Sequence, residues 1–345
     1  MYIQTKTVKM RRLLLLISLV TFSFSVSIAK DVPQRVIFDT DMGNDIDDAL
    51  ALDMLYKYQD MGRIRLLGIM SSKEGRESAT YIDIMNTWYG YPDIPIGIVR
   101  NGVVAEQSTN YASKVADMTE NGAPTFKRTV ENVEELPDAH VLYRKILAAQ
   151  PDKSVVIICT GFCTNLARLL STAPDSYSPL SGRALIARKV KYISMMGGRF
   201  DVPGIAEYNV ECDIASCAKL FAECPVNIVT APFELGLDVL YPGKSIEEDF
   251  GWASRHPLVE GYKAFLKMPY DRPTWDLTAV LHVLEPGKFM STTRRGKIIV
   301  DEKGCTTYKR KARGNHRYLK ANAEQKATMK KFFVDTITKK PKCYE

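Results

Sequence analysis

The sequence predicts an α/β domain with an open, mostly parallel sheet flanked by helices and closed by a C-terminal β-hairpin and helix. Three observations carry this. Short β-branched runs alternate with amphipathic helical stretches from residue 35 onward, as in successive strand–helix–strand units. One run, Val155-Val156-Ile157-Ile158, is apolar throughout, as a strand covered on both faces is. From Lys297 the pattern changes to two strands joined by a Lys303-Gly304 turn.

Taken in order, Val36-Ile37-Phe38 is a strand that runs into acid, and Ala49 to Tyr56 has helical composition. Ile64 to Met70 reads as strand, Ser78 to Tyr89 as helix, and Ile94 to Ile98 as a short edge strand, because Pro95 cannot donate to a ladder. Residues 101 to 137 are polar and read as loop. His140 to Ala149 is helical, and Asn165 to Ser171 begins a helix after the Thr160-Gly161 turn. Val190 to Met196, Ile214 to Phe221 and Val226 to Thr230 continue the alternation. After a helix from Asp276 to Leu284, Lys297 to Val300 and Thr306 to Lys309 form the hairpin, and Glu324 to Thr336 the last helix. With no internal repeat and no low-complexity linker, residues 30–345 are expected to be one domain.

Residues 1–29 read as an export signal. Lys6, Lys9, Arg11 and Arg12 precede an apolar run from Leu13 to Val26, and Ser27-Ile28-Ala29 supplies a small-residue cleavage site. The run is short for a spanning helix and is broken by serines. The expected product is a soluble periplasmic or extracellular protein without a stable membrane anchor. Of the net charge of +7, those four cations form the larger part, so the remainder is nearly neutral and names no polyanionic partner. The basic run Lys309 to Arg313 lacks interleaved aromatics and reads as a solvated hairpin face, not a nucleic-acid surface. The seven cysteines permit disulfides but fix no pairing, and with four histidines and no Cys-x-x-Cys spacing a zinc site is not expected. A metal here has to be held by oxygen.

Asp39, Asp41, Asp45, Asp47 and Asp48 fall within ten residues. Ionised together they repel, and a cation resolves the conflict. Asp39 and Asp41, two apart on an extended strand, share a face; Asp47 and Asp48 open the next helix, whose positive end favours carboxylates. The carboxyl end of a strand in an open α/β sheet is also where ligands bind. Oxygen ligands on a flexible loop suit Ca²⁺, with Mg²⁺ as the other hard cation. An EF-hand does not fit, lacking the glycine and terminal glutamate of that loop. A phosphoryl-transfer site built on the Asp-x-Asp pair needs a lysine and further acids downstream that are not evident.

The segment Asp39-Thr40-Asp41-x-Gly43 with Asp47-Asp48-Ala49 resembles the signature of the inosine-uridine nucleoside hydrolases, in a variant with Asp45-Ile46 inserted before the paired aspartates. Thr160 to Leu166, Met196-Gly197-Gly198 running to Glu207-Tyr208-Asn209, and Trp275-Asp276-Leu277 follow in the family's order, so the resemblance spans roughly residues 33 to 320. It implies a Rossmann-like core and one Ca²⁺ held by Asp41, Asp48, the Thr160 carbonyl and Asp276. Asp41 would also act as the base that activates water against the anomeric carbon. Asp47, Glu207 and Asn209 would grip sugar hydroxyls. The partner implied is a small nucleoside or riboside, in a chain that can form homo-oligomers, with hydrolysis to ribose and free base.

Departures from the family pattern are informative. Trp275 stands where many members have a histidine linked to protonating the leaving base, and an indole cannot be that acid. It can stack on the base or pack at the pocket wall, and the sequence leaves both open. Ser71 to Arg76 lacks the Gly-Asn of better-known members, and Asp201 lies near where asparagine is common. An altered sugar- and riboside-binding protein, or a hydrolase of another glycosyl bond, therefore stay open beside nucleoside hydrolysis.

Overall fold

A computed structural model describes residues 32–104 and 110–344, so the export signal expected at residues 1–29 lies outside the described residues. Six strands, β1 (Gln34–Thr40), β2 (Ile64–Lys73), β3 (Ile96–Val103), β4 (Val155–Cys159), β5 (Val190–Met196) and β6 (Asn227–Ala231), run parallel in the spatial order 3-2-1-4-5-6. The hairpin β7 (Gly296–Val300) and β8 (Thr306–Arg310) pairs antiparallel, as expected. A strand that the sequence reading missed, β9 (His316–Lys320), lies parallel beside β6 and joins the hairpin to the sheet. Its cations, Arg317 and Lys320, disguise it as loop.

Helices cover both faces because strand residues alternate between them. Val36 and Phe38 of β1, with Val156 and Ile158 of β4, point to a core shared by α1 (Asp47–Asp60) and α2 (Arg76–Trp88). Ile37, Val155 and Ile157 point to the opposite core, beneath α3 (Ala139–Ala148), α4 (Thr164–Ser171) and, after the short α5 (Tyr208–Cys212), α6 (Ile214–Glu223). Two later helices, α7 (Trp275–Leu284) and α8 (Ala323–Ile337), complete the first core.

Strand β3 is the sheet's edge but runs from Ile96 to Val103; the Pro95 carbonyl before it accepts from the Ile69 N–H, while Pro95 has no N–H to donate. The stretch read as loop contains a short helix, Tyr111–Ala116, and a further helix at Pro257–Phe265 was not foreseen. Lys309 to Arg313 is exposed, as a solvated hairpin face should be. No described helix is long and apolar enough to cross a membrane.

Candidate active site

Strand β1 ends at Thr40, and the loop Asp41–Ile46 delivers the chain to α1 at Asp47. The neighbouring turn after β4 presses against this loop at Gly161. A Cβ there would lie 2.4 Å from the Asp41 nitrogen and 2.8 Å from the Asp41 Cβ, so only glycine permits the approach. Tyr111 staples the loop from the other side: its hydroxyl accepts from the Gly43 N–H at 3.0 Å and donates to the Asp45 carbonyl at 3.1 Å. Lys73, buried at the end of β2, donates to the Gly43 carbonyl at 3.3 Å. A lone tyrosine in a polar stretch gives a sequence reader no signal for this role.

The loop opens onto a small pocket that is connected to solvent. Asp41, Asp47, Asp48, Thr160, Glu207, Asn209, Trp275 and Asp276 all line it, so the structure brings together the residues expected to bind metal and substrate, from four separate segments. Asn44, Asp45, Met196, Tyr208 and Phe233 complete the wall. Asp39 does not line it. The chain leaves the strand after Thr40, and the Asp39 carboxylate is turned to the other core, where the Tyr143 hydroxyl (2.9 Å) and Asn165 Nδ2 (3.0 Å) donate to it. The shared face expected for Asp39 and Asp41 is therefore not observed, and Asp39 is a buried support. Asp201 also lies away from the pocket, paired with Arg199 at 2.8 Å.

Asp41, Asp47, Asp48 and Asp276 are each at most 5% exposed. Burial pushes Asp41 and Asp276 well above the usual carboxylate range, and the negative charge of Asp48 and their other acidic neighbours pushes them further. Asp48 rises to about 7 through burial and Asp47, with the Thr40 hydroxyl pulling it back. Burial lifts Asp47 to about 6 against the pull of Arg272, which sits 3.2 Å away and also pairs with Asp45 at 2.7 Å. One guanidinium thus serves five acids, and it faces Asp45 and Asp47.

This donor set fits a hard cation. It is all oxygen, it is buried, and its charge is uncompensated on the Asp41, Asp48 and Asp276 side. The Asp48 carboxylate is engaged by the hydroxyls of Thr40 and Thr160, and among the described residues no three His, Cys, Asp or Glu side chains stand at ligand spacing, so closing the set around an ion requires side-chain rotation.

Opposite the aspartates, Glu207 caps α5. Its carboxylate accepts from the N–H groups of Asn209 (2.9 Å), Val210 (3.3 Å) and Gly198 (3.3 Å), and burial raises it to about 7 against these donors. This capping role is a structural reason for Glu207 that the sequence reading did not include. Asn209 Nδ2 donates to the Thr160 carbonyl at 2.9 Å, leaving that oxygen one lone pair. Both residues are buried, so they are not an ordinary exposed loop pair.

Trp275 is held in the wall. Its Nε1 donates to the Phe233 carbonyl at 3.0 Å, its ring stacks on Phe233 with centroids 5.3 Å apart, and the Arg272 guanidinium lies 4.9 Å from its centroid. The only N–H of the indole is therefore spent inside the protein. Gly236 makes room for it, since a Cβ there would fall 2.4 Å from the Trp275 Cα.

A mostly parallel sheet with a multi-aspartate pocket at its carboxyl end defines a ligand site of the open α/β class. Residues 36–337 match the inosine-uridine preferring nucleoside hydrolase family, and the chain belongs to it: it is a hydrolase of nucleoside N-glycosidic bonds. Among solved structures, a plant nucleoside hydrolase is similar over 89% of this chain and 100% of its own, at 19% identity and a TM-score of 0.67. The purine-preferring ribonucleoside hydrolase of Gardnerella vaginalis covers 88% of this chain and 98% of its own, at 16% identity and 0.65. A type III effector protein, XopQ, complexed with adenosine diphosphate ribose, covers 89% and 94%, at 15% identity and 0.62. At such identities the likeness is one of fold. A search of curated proteins gave no significant sequence match.

Proposed function

We propose that this protein hydrolyses ribonucleosides, or closely related N-ribosides, to ribose and free base with Ca²⁺ bound by Asp41, Asp48, the Thr160 carbonyl and Asp276, and that it acts after export from the cytoplasm. The observation that carries the reading is the group of buried, mutually repelling aspartates facing Glu207 and Asn209 across one pocket. A bound cation supplies the positive charge that neutralises these acids and makes water more acidic.

Asp41, held as carboxylate once a cation offsets its acidic neighbours, is placed to take a proton from water. Asn44 Nδ2, 3.3 Å from Asp41 Oδ2, orients that carboxylate. Asp47 is fixed by Arg272 and by the Asp276 N–H at 3.2 Å, so it offers a positioned acceptor for a sugar hydroxyl. Glu207 and Asn209 meet the sugar from the other side. As the glycosidic bond breaks, positive charge grows on the ribosyl ring, and the surrounding carboxylates stabilise it. Phe233 and Trp275 supply an apolar wall for the base. The indole N–H is already donated, so a proton for the departing base comes from elsewhere.

The test is sugar release from inosine, uridine, adenosine and guanosine by metal-loaded protein, with and without a Ca²⁺ chelator. Release that the chelator abolishes and added Ca²⁺ restores is expected. Calorimetric riboside binding without any release, from folded and metal-loaded protein, overturns the proposal.

A further inference from the structure

Behind the turn that carries Thr160, Cys159, Cys163 and Cys217 have no exposed surface. Cys163 is the N-cap of α4, Cys217 lies on α6, and their sulfurs are 2.7 Å apart. Unbonded carbon atoms rest at about 3.5–4.0 Å and sulfur is larger than carbon, whereas a disulfide bond is about 2.05 Å. The fold thus holds two thiols, 54 positions apart, well inside the distance at which unbonded sulfurs settle. Cys159 does not compete: its thiol points to the Gly161 carbonyl at 3.6 Å.

The same seam is tied elsewhere. Thr164 Oγ1 donates to Asp213 at 2.7 Å, and Asn209 Nδ2 to the Thr160 carbonyl. We propose that Cys163 and Cys217 form a disulfide that clamps the Thr160 turn to the Asn209 segment, joining the two halves of the pocket. Each thiol gives up a proton and an electron as the S–S bond forms. The two electrons and two protons reduce a thiol–disulfide oxidant, whose own S–S bond breaks to two thiols. Neither sulfur reaches solvent, so the exchange takes place during folding, and reductants reach the finished bond only when the chain opens. The inference stands on this geometry alone and does not depend on the substrate proposed above.

The full chain is refolded with an oxidised/reduced glutathione couple and, in parallel, with a phosphine reductant, then blocked with a maleimide in denaturant and digested with trypsin. In the oxidised sample two of the seven cysteines should escape labelling. Peptides Ser154–Arg168 and Phe200–Lys219 should be linked, with fragmentation placing the bond on Cys163 and Cys217 rather than on Cys159 or Cys212. The oxidised parent should melt about 5–10 °C above the reduced parent. Cys163→Ser and Cys217→Ser should lose both the link and that difference, and if either fails to fold, the two parent samples still decide. Seven labelled cysteines in the oxidised sample, a bond placed elsewhere, or equal melting temperatures overturns the proposal.

Discussion

Helix α1 buries aspartate at two places. In its first turn Asp47 and Asp48 lie beside Asp41 and Asp276, and burial and mutual repulsion act together on Asp48 and Asp276. Farther along, Asp53 is fully buried too, but Lys57 stands 3.9 Å away and the Tyr89 hydroxyl donates to it. Burial lifts Asp53 to about 6, and both partners pull against that rise. Residue type, helix and burial are the same; the difference is whether the acid has a cation of its own or several acids share one. A buried acid with its own lysine belongs to the architecture, whereas buried acids that share one arginine form a place for a ligand.

The largest effect that tests this contrast is on turnover. Asp41→Asn should lower kcat/KM by at least about 10³-fold, while its melting temperature in chelator stays level or rises, because one repelling group is gone. A variant as active as the parent removes Asp41 as the base. Next, Lys57→Met should leave Asp53 buried without its cation, costing about 3–5 kcal/mol in urea unfolding, with kcat per folded molecule unchanged. If Asp48→Asn in chelator destabilises more than Lys57→Met, the distinction between the two ends of the helix breaks down.

Metal and pH sharpen it further. Asp39, Asp48 and Glu207 at about 7 and Asp47 at about 6 are all raised above the value near 4 expected in the unfolded chain. Groups raised in this way stabilise the fold fully below about pH 4 and lose that contribution as pH rises through about 6–7. Metal-stripped protein should therefore melt progressively lower between pH 4 and 7 in scanning calorimetry. Added Ca²⁺ at a hundred times its Kd should restore about 2.7 kcal/mol, and its benefit should be larger at pH 8 than at pH 5 because binding displaces protons. A benefit independent of pH would place the ion elsewhere. The smallest effect is expected from Trp275→Phe. Keeping a ring but losing the N–H to the Phe233 carbonyl should cost about 1 kcal/mol and change KM only a few-fold. Should Trp275→Ala give the same KM, the ring is not part of the base site.

Much of the site was legible because its chemistry is crowded into short segments. Five aspartates at the end of an apolar strand cannot be an ordinary loop, and Thr160-Gly161 and Glu207-Tyr208-Asn209 stand out against the family's pattern. Tyr111, Arg272 and Phe233 were not legible, because a single staple, counter-ion or wall residue carries no local pattern. Only the face shared by Asp39 and Asp41 was misdirected by strand periodicity, which ends where the backbone turns.

By itself the sequence determined the alternation of strands and helices, the excess of acid at the mouth of β1 and the oxygen character of any metal site. These depend on residue type and spacing over a few positions. Tertiary structure alone decided that Asp39 faces away, that Glu207 caps a helix, that Trp275 is locked against Phe233 and Arg272, and that Cys163 meets Cys217. Each of these depends on which distant segments the sheet brings side by side, and no local periodicity encodes that.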